Sequence, residues 1–418
     1  MLIKVLLNKV YKFKDFVYGA TRFERDSAGQ NCLTVEIRKR RKSRSLCSKC
    51  RRRCAGYDTQ RARDYSFIPI WDIPVFFRYA RCRVRCPEHG VIVEWLPWTA
   101  GKSPLTHGFK IYLAQWARDL SWQRVAERFH VSWHNVFEAV QAVVTYGLHH
   151  RDLSGITAIG IDEIQYQNGH RYLTLVYQID TDCRRLLYIG KERTEKTLRT
   201  FFTFFGKARC QALEVVCSDM WRPYLKVVAS MVPNALHILD RFHIMKKFNE
   251  AIDQIRRREA KRLEQDGYEP VLNRTRWLLV KQKRNQSTSQ LGRLRELLRY
   301  NLKTVKGYLL REAFQKFWTY KSPYWAEQFL NQWTRRAMYS KIDEMKKVAR
   351  MLRRHQPLIM NWFQTKKRFS NGIVEGFNNK AKLTMRKSYG FRHEKTLEIA
   401  LFHQLGNLPE PELTHNFL

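Results

Sequence analysis

The chain has 418 residues, with 77 Lys and Arg against 38 Asp and Glu, for a net charge of +39. A hydrophobic content of 44% with 13% aromatics is enough for real cores and excludes wholesale disorder. No apolar run approaches the roughly 18 residues that a membrane-spanning helix needs. The opening MLIKVLLNKVYKFKDF alternates apolar residues with lysine and lacks a signal peptide's apolar stretch and cleavage site. A soluble, intracellular protein is therefore expected. A charge surplus of this size spread over folded domains points to a large polyanion, with nucleic acid ahead of an anionic membrane surface.

In chain order, residues 1–45 read as an N-terminal β segment with short strands such as LTVEI (33–37), closing on the basic run RKRRKSR at 38–44. Residues 46–100 contain five of the nine cysteines, interleaved with arginine and lysine. A disulfide framework suits short secreted chains, so this clustering favours a metal. Cys47-Ser-Lys-Cys50 and Cys86-Pro-Glu-His89 form two C-x-x-[CH] pairs separated by 35 residues. Each pair makes a tight knuckle with both ligands on one side, and thiolates with imidazole suit tetrahedral zinc. Cys54 and Cys82 remain open as substitute ligands. The intervening stretch has room for β-hairpins.

Residues 101–150 change to a helical pattern. A first helix is expected near Gly108–Asp119, then WQRVAERF after Ser121, a turn at His130-Val131-Ser132, and WHNVFEAVQAVV. Ser121 and Ser132 are good N-caps, and Val125, Phe129, Val136 and Val140 are spaced as an internal apolar seam. Such a unit is similar to DNA-binding helix-turn-helix domains, whose second helix enters the major groove. A plain helical bundle carries the same pattern. On the DNA reading, Trp133, His134, Asn135 and Glu138 face the groove or its backbone, and Arg38, Arg40 and Arg41 meet phosphate.

Residues 151–245 alternate strands and helices. AIGIDE (158–163) is an apolar strand ending at Asp162. RYLTLVYQID (171–180) and CRRLLYIG (183–190) follow, then a helix near 194–206. LEVVCSD (213–219) is a second buried strand, ending at Asp219, and ALHILD (235–240) is another. This is the order of an RNase H-like sheet, whose first and fourth strands adjoin, which would bring Asp162 and Asp219 together. Adjacent carboxylates repel unless a cation compensates them. Two divalent ions about 3.5–4 Å apart would do so and stabilise both oxygens of a phosphoryl transfer. Oxygen ligands select Mg²⁺ or Mn²⁺. Residues 246–365 read as a helical insertion. The segment 366–418 carries Glu375, Asn378, Asn379 and Lys382, of which Glu375 is the best third acidic ligand. Asp240 either caps the next helix or serves with His243 as an auxiliary group.

The blocks IGIDE (159–163), SDMWRPY (218–224), NALHILDRFHI (234–244) and SNGIVEGFNNKAK (370–382), with CPEHG (86–90), resemble in order those of the ISL3 family of insertion-sequence DDE transposases. The resemblance covers nearly the whole chain and is weakest in 1–45 and 246–365. It implies a multi-domain α+β protein: a zinc-binding β module, a helix-turn-helix, and an RNase H-like catalytic domain interrupted by a helical insertion. It also implies that Asp162, Asp219 and Glu375 form a Mg²⁺- or Mn²⁺-binding triad. The implied activity is cutting and joining double-stranded DNA at terminal inverted repeats, by a homodimer or higher oligomer in the bacterial cytoplasm, at the nucleoid. A domesticated DNA-binding regulator and an RNase H-like nuclease are the alternative readings.

Overall fold

In the computed structural model, the described residues are 3–25, 29–167, 169, 171–281, 285–365, 372–388 and 390–412. The chain is a mixed α and β protein that divides into two compact units. Residues 1–152 with 381–418 form one, and 153–380 the other. Among the described residues, no helix is long and apolar enough to cross a membrane.

The first unit begins with α1 (Ile3–Val10), where the sequence had suggested a strand. Its alternation also satisfies helical spacing: Leu7 and Tyr11 lie four residues apart and both are buried in the aromatic core beneath. Six strands follow: β1 (Phe16–Arg25), β2 (Asn31–Lys39), β3 (Ser45–Leu46), β4 (Arg53–Ile70), β5 (Ile73–Cys86) and β6 (Gly90–Val93). They form one sheet in the order β1-β2-β5-β4-β3, with β6 on β5. The expected division between residues 45 and 46 is therefore crossed by strand pairing, because β2 lies parallel to β5 with Val35 opposite Phe77. Phe67 stacks on Phe77 at 4.4 Å, and Trp98 packs edge-on to Phe16 and Tyr79. Such aromatic pairs stabilise beyond their buried area.

Three helices follow: α2 (His107–Asp119), α3 (Trp122–Arg128) and α4 (Trp133–His150). Ser121 and Ser132 accept hydrogen bonds from Arg124 N at 3.3 Å and Asn135 N at 3.1 Å. Each satisfies one of the donors left open at a helix start. Val125, Val136 and Val140 are fully buried, and Phe129 is half-buried.

The second unit contains β7 (Ala158–Gln167), β8 (Arg171–Ile179), β9 (Arg184–Lys191), α5 (Glu195–Phe205), α6 (Lys207–Ala212), β10 (Val215–Ser218), α7 (Arg222–Met231) and β11 (Leu236–Leu239). The strand order is β11-β10-β7-β8-β9. β10 runs parallel to both β7 and β11, so the first and fourth strands adjoin. Beyond the sheet come α8 (Arg241–Gln265), α9 (Arg276–Val280), α10 (Thr288–Leu297), α11 (Lys303–Gln315), α12 (Pro323–Met338), α13 (Asp343–Arg354) and α14 (Gln356–Gln364). These helices have their own core, in which Phe248 lies 4.7 Å from Phe314 and 5.3 Å from Trp333. The chain then continues through α15 (Gly372–Lys387). The last helix, α16 (Glu394–Leu405), packs on α4, so the C-terminal segment groups with the first unit.

Candidate active site and metal centres

Strand register places the acidic groups. Cys217 of β10 lies opposite Gly160 of β7, and Ser218 lies opposite Leu239 of β11. Continuing each strand brings Asp162, Asp219 and Asp240 level, in one row across three parallel neighbours. Asp162 does not end its strand, as the sequence had suggested. β7 continues to Gln167 because its apolar positions pair with β8, with Asp162 opposite Leu175 and Ile164 opposite Leu173.

Each carboxylate is fixed by donors. Asp162 Oδ1 accepts from Glu163 N at 2.8 Å, and its Oδ2 accepts from Asn378 Nδ2 at 2.6 Å. The Tyr177 hydroxyl donates to Asn378 Oδ1 at 2.9 Å, orienting the amide, and the Tyr177 ring stacks on Phe377. Asp219 Oδ1 accepts from Trp221 N at 2.9 Å and its Oδ2 from Arg193 at 2.5 Å. Asp240 caps α8 through Phe242 N at 2.8 Å and also meets His243 Nδ1 at 2.6 Å. Asp240 therefore caps the helix, as weighed from the sequence, and contacts His243 as well. The hydrogen bond to Asp240 raises the His243 pKa.

Burial pushes the Asp162 carboxyl up to about 6 and that of Glu163 up to about 7, with neighbouring carboxylates adding to both. When all are ionised, Asp162, Glu163, Asp219 and Asp240 face, among the described residues, Arg193 and His243 as cations in these contacts. That surplus of oxygen ligands and negative charge fits a hard divalent cation. Each carboxylate oxygen has two lone pairs, so the donors above leave acceptor capacity for a metal.

Glu375 is exposed on α15, whereas Asn378 one turn later is buried. At about 100° per residue the two are about 60° apart, so Glu375 borders the helix face that Asn378 presents to Asp162. The α15 side chain that hydrogen-bonds Asp162 is Asn378. Asn379 and Lys382 are exposed. Ser370 and Asn371 of the same motif lie outside the described residues. Among the described residues, the three acids do not form a group whose ligand atoms all lie within 4.8 Å of one another.

Gly160 sets the approach of α15. A Cβ at this position would collide with Val374. Gly160→Ala is expected to destabilise the chain by about 1–3 kcal/mol through overpacking, and adding Val374→Ala should restore much of the loss. Thermal denaturation of the single and double variants checks this; additive losses would reject the contact.

Cys47, Cys50, Cys86 and His89 lie together, with all four ligand atoms within 4.8 Å of one another. The recorded separations are 3.6 Å for Cys50–Cys86, 3.8 Å for Cys47–His89 and 3.5 Å for Cys86–His89. A tetrahedron with Zn–S near 2.3 Å and Zn–N near 2.0–2.1 Å has edges of roughly 3.5–3.8 Å, so the donor set fits zinc. Against desolvation, which raises it, backbone N–H groups of Glu88 and His89 bring the Cys86 thiol down to about 7, favouring the thiolate that binds metal. Cys54 packs beside the cluster, with its thiol also 3.4 Å from Arg52 O, and Cys82 lies 3.7 Å from the Thr59 hydroxyl.

At the start of α4, His134 is exposed and Asn135 is half-buried, while Trp133 is stacked on Phe137 with ring planes 3° apart. Glu138 pairs with His134 at 3.3 Å. Arg38, Arg40 and Arg41 are exposed, and Arg38 pairs with Glu36 at 2.8 Å.

Sequence reasoning missed Glu163, Arg193, Tyr177 and Trp221. Glu163 adjoins Asp162 and was open to notice. Arg193 lies in a short connection with no motif, and only the sheet's folding brings it to Asp219.

Residues 159–401 match the family model for ISL3-type DDE transposases, described as transposase. The chain is 29% identical over 381 residues to the transposase for insertion sequence element IS1001 of Bordetella parapertussis, covering 90% of this chain and 93% of that protein. It is 27% identical over 420 residues to the transposase for insertion sequence element IS1557 of Mycobacterium tuberculosis, covering 94% of each.

Proposed function

Because this chain belongs to the ISL3 family of DDE transposases, we propose that it binds the terminal inverted repeats of an insertion sequence and catalyses metal-dependent strand cleavage and transfer. The observation that carries the proposal is the acidic row, with Asp162 and Asp219 level on adjacent parallel strands and Asn378 of α15 bonded to Asp162. The order β11-β10-β7-β8-β9 supports reading this unit as an RNase H-like domain interrupted by helices α8–α14.

Asp162 and Asp219 hold Mg²⁺ or Mn²⁺, with Glu375 as the third acidic ligand. Divalent ions held there would supply charge stabilisation at the scissile phosphodiester and would favour deprotonation of the attacking water or 3′-hydroxyl. Asn378 and the Trp221 amide fix the aspartate rotamers, so geometry is set before DNA arrives. Asp240 orients His243, and Asn379 and Lys382 meet phosphate. Cys47, Cys50, Cys86 and His89 hold a structural zinc. Arg38, Arg40 and Arg41 with Trp133, His134 and Asn135 bind double-stranded DNA. Joining two element ends calls for a homodimer or higher oligomer on DNA, in the bacterial cytoplasm at the nucleoid.

The test is a linear DNA carrying the inverted repeats that flank the gene, incubated with protein and Mg²⁺. Cleavage at the element boundary is expected. Tight end binding without cleavage in Mg²⁺ or Mn²⁺ would replace this reading with that of a DNA-binding regulator.

A further inference from the structure

Between β9 and α5 the chain makes a short connection that delivers one arginine into the acidic row. Glu192 has a φ of 64°, a left-handed conformation that non-glycine residues adopt only when the surroundings hold them there. Its amide donates to Tyr172 O at 3.0 Å, and its carbonyl accepts from the Thr174 hydroxyl at 2.8 Å. Thr194 then caps α5 through Thr197 N at 3.1 Å. Arg193, fixed between these anchors, lies with Nε 2.9 Å from Glu163 and an Nη 2.5 Å from Asp219. Its guanidinium lies over the Trp221 ring at 4.4 Å, and Trp221 N is itself bonded to Asp219. The buried Tyr224 hydroxyl interacts with Glu163 and is 2.9 Å from the Thr174 hydroxyl.

We propose that Arg193 is a built-in counter-cation of the acidic pocket, a positioning residue that clamps Glu163 to Asp219 and sets how tightly the pocket takes a divalent ion. The inference rests on reading the pocket as a metal site. The guanidinium is hydrogen-bonded to Asp219, lies at ion-pair distance from Glu163 and covers the Trp221 ring, so it is fixed by more than a single surface ion pair. It also has a cost, because Arg193 occupies Asp219 Oδ2 and its charge repels an incoming cation. The side chain remains one-third exposed, so its remaining donors are within reach of a phosphate at the pocket mouth. The clamp bridges Glu163 and Asp219 and so fixes how the two carboxylates are turned.

Mn²⁺ binding to the full-length protein without DNA, read from the loss of the free-ion electron paramagnetic resonance signal, tests this at pH 8. Arg193→Gln removes the competing charge, and binding is expected to tighten by about tenfold. Arg193→Lys keeps the charge and loses the fork, so Mn²⁺ affinity should stay within about twofold of wild type. In both variants Mg²⁺-dependent cleavage should fall, because Asp219 and Glu163 lose their shared partner. Mn²⁺ affinity in Arg193→Gln equal to or weaker than wild type overturns the proposal. Should that variant fail to fold, Arg193→Lys carries the test, and an affinity altered well beyond twofold would overturn the counter-cation role. Wild-type protein that takes up no Mn²⁺ at millimolar concentration would reject the metal site itself, and the clamp with it.

Discussion

Asp162→Asn is expected to lower metal-dependent strand cleavage by three orders of magnitude or more while leaving binding to the element ends intact. A loss of that size corresponds to about 4 kcal/mol of transition-state stabilisation, in the range set by removing one preorganised electrostatic group. Asparagine keeps the shape and an oxygen for Glu163 N, but opposes an amide to the Asn378 amide and removes the charge that draws a divalent ion. The same change should not unfold the chain. Burial raises the Asp162 pKa from 3.8 to about 6, so its ionised form opposes folding in metal-free protein. That penalty is absent below the unfolded value near 4, grows between about pH 4 and 6, and is fully present above. Asp162→Asn removes it, so the variant should be more stable than wild type at pH 7.5 in chelator, on the order of 1–2 kcal/mol. The advantage should vanish below pH 4. Cleavage at the wild-type rate would remove Asp162 from the site.

The second large effect concerns the cysteine cluster. Cys86 is the ligand closest to two partners, Cys50 and His89. Cys86→Ser is expected to abolish zinc binding, which metal analysis of wild-type protein should show as one ion per chain. The apolar groups packed around the cluster are few, Val84 and Ile92 beside the cysteines themselves. The metal therefore carries much of the local folding energy, and structural zinc in small modules supplies about 10–16 kcal/mol of apparent binding free energy. The other end of the sheet has a separate aromatic core around Phe67, Phe77 and Trp98. Unfolding should therefore be local. Hydrogen exchange should accelerate at Cys47–Arg53 and Arg83–Val93 while Val75–Tyr79 stays protected. A variant that retains zinc and protection throughout would reject the assigned ligands.

Local signals were the ones legible in the sequence. Ser121 and Ser132 cap the helices they precede. The spacing of apolar runs gave β8, β9, α5 and β10 within a residue or two of their positions. Non-local pairing was not legible. Nothing in LTVEI announces that it lies parallel to Val75–Arg78, some forty residues away, so the first hundred residues read as two pieces and fold around one sheet. The site divides in the same way. Asp162 and Asp219 stand out as candidates in the sequence because each follows an apolar run. Arg193 does not, since a guanidinium's position over Trp221 depends on a left-handed turn at Glu192 that composition does not encode. Glu375 reads as the best carboxylate on its helix, and the folded chain presents Asn378 to Asp162 beside it.

The acidic row is the proposed metal site, and anomalous diffraction from crystals soaked in Mn²⁺ tests it directly. The expected result is an anomalous peak within about 2.0–2.3 Å of carboxylate oxygens of both Asp162 and Asp219, absent from Asp219→Asn crystals. A well-occupied Mn²⁺ elsewhere with this row empty, while the same protein cleaves element ends in Mn²⁺, would contradict it.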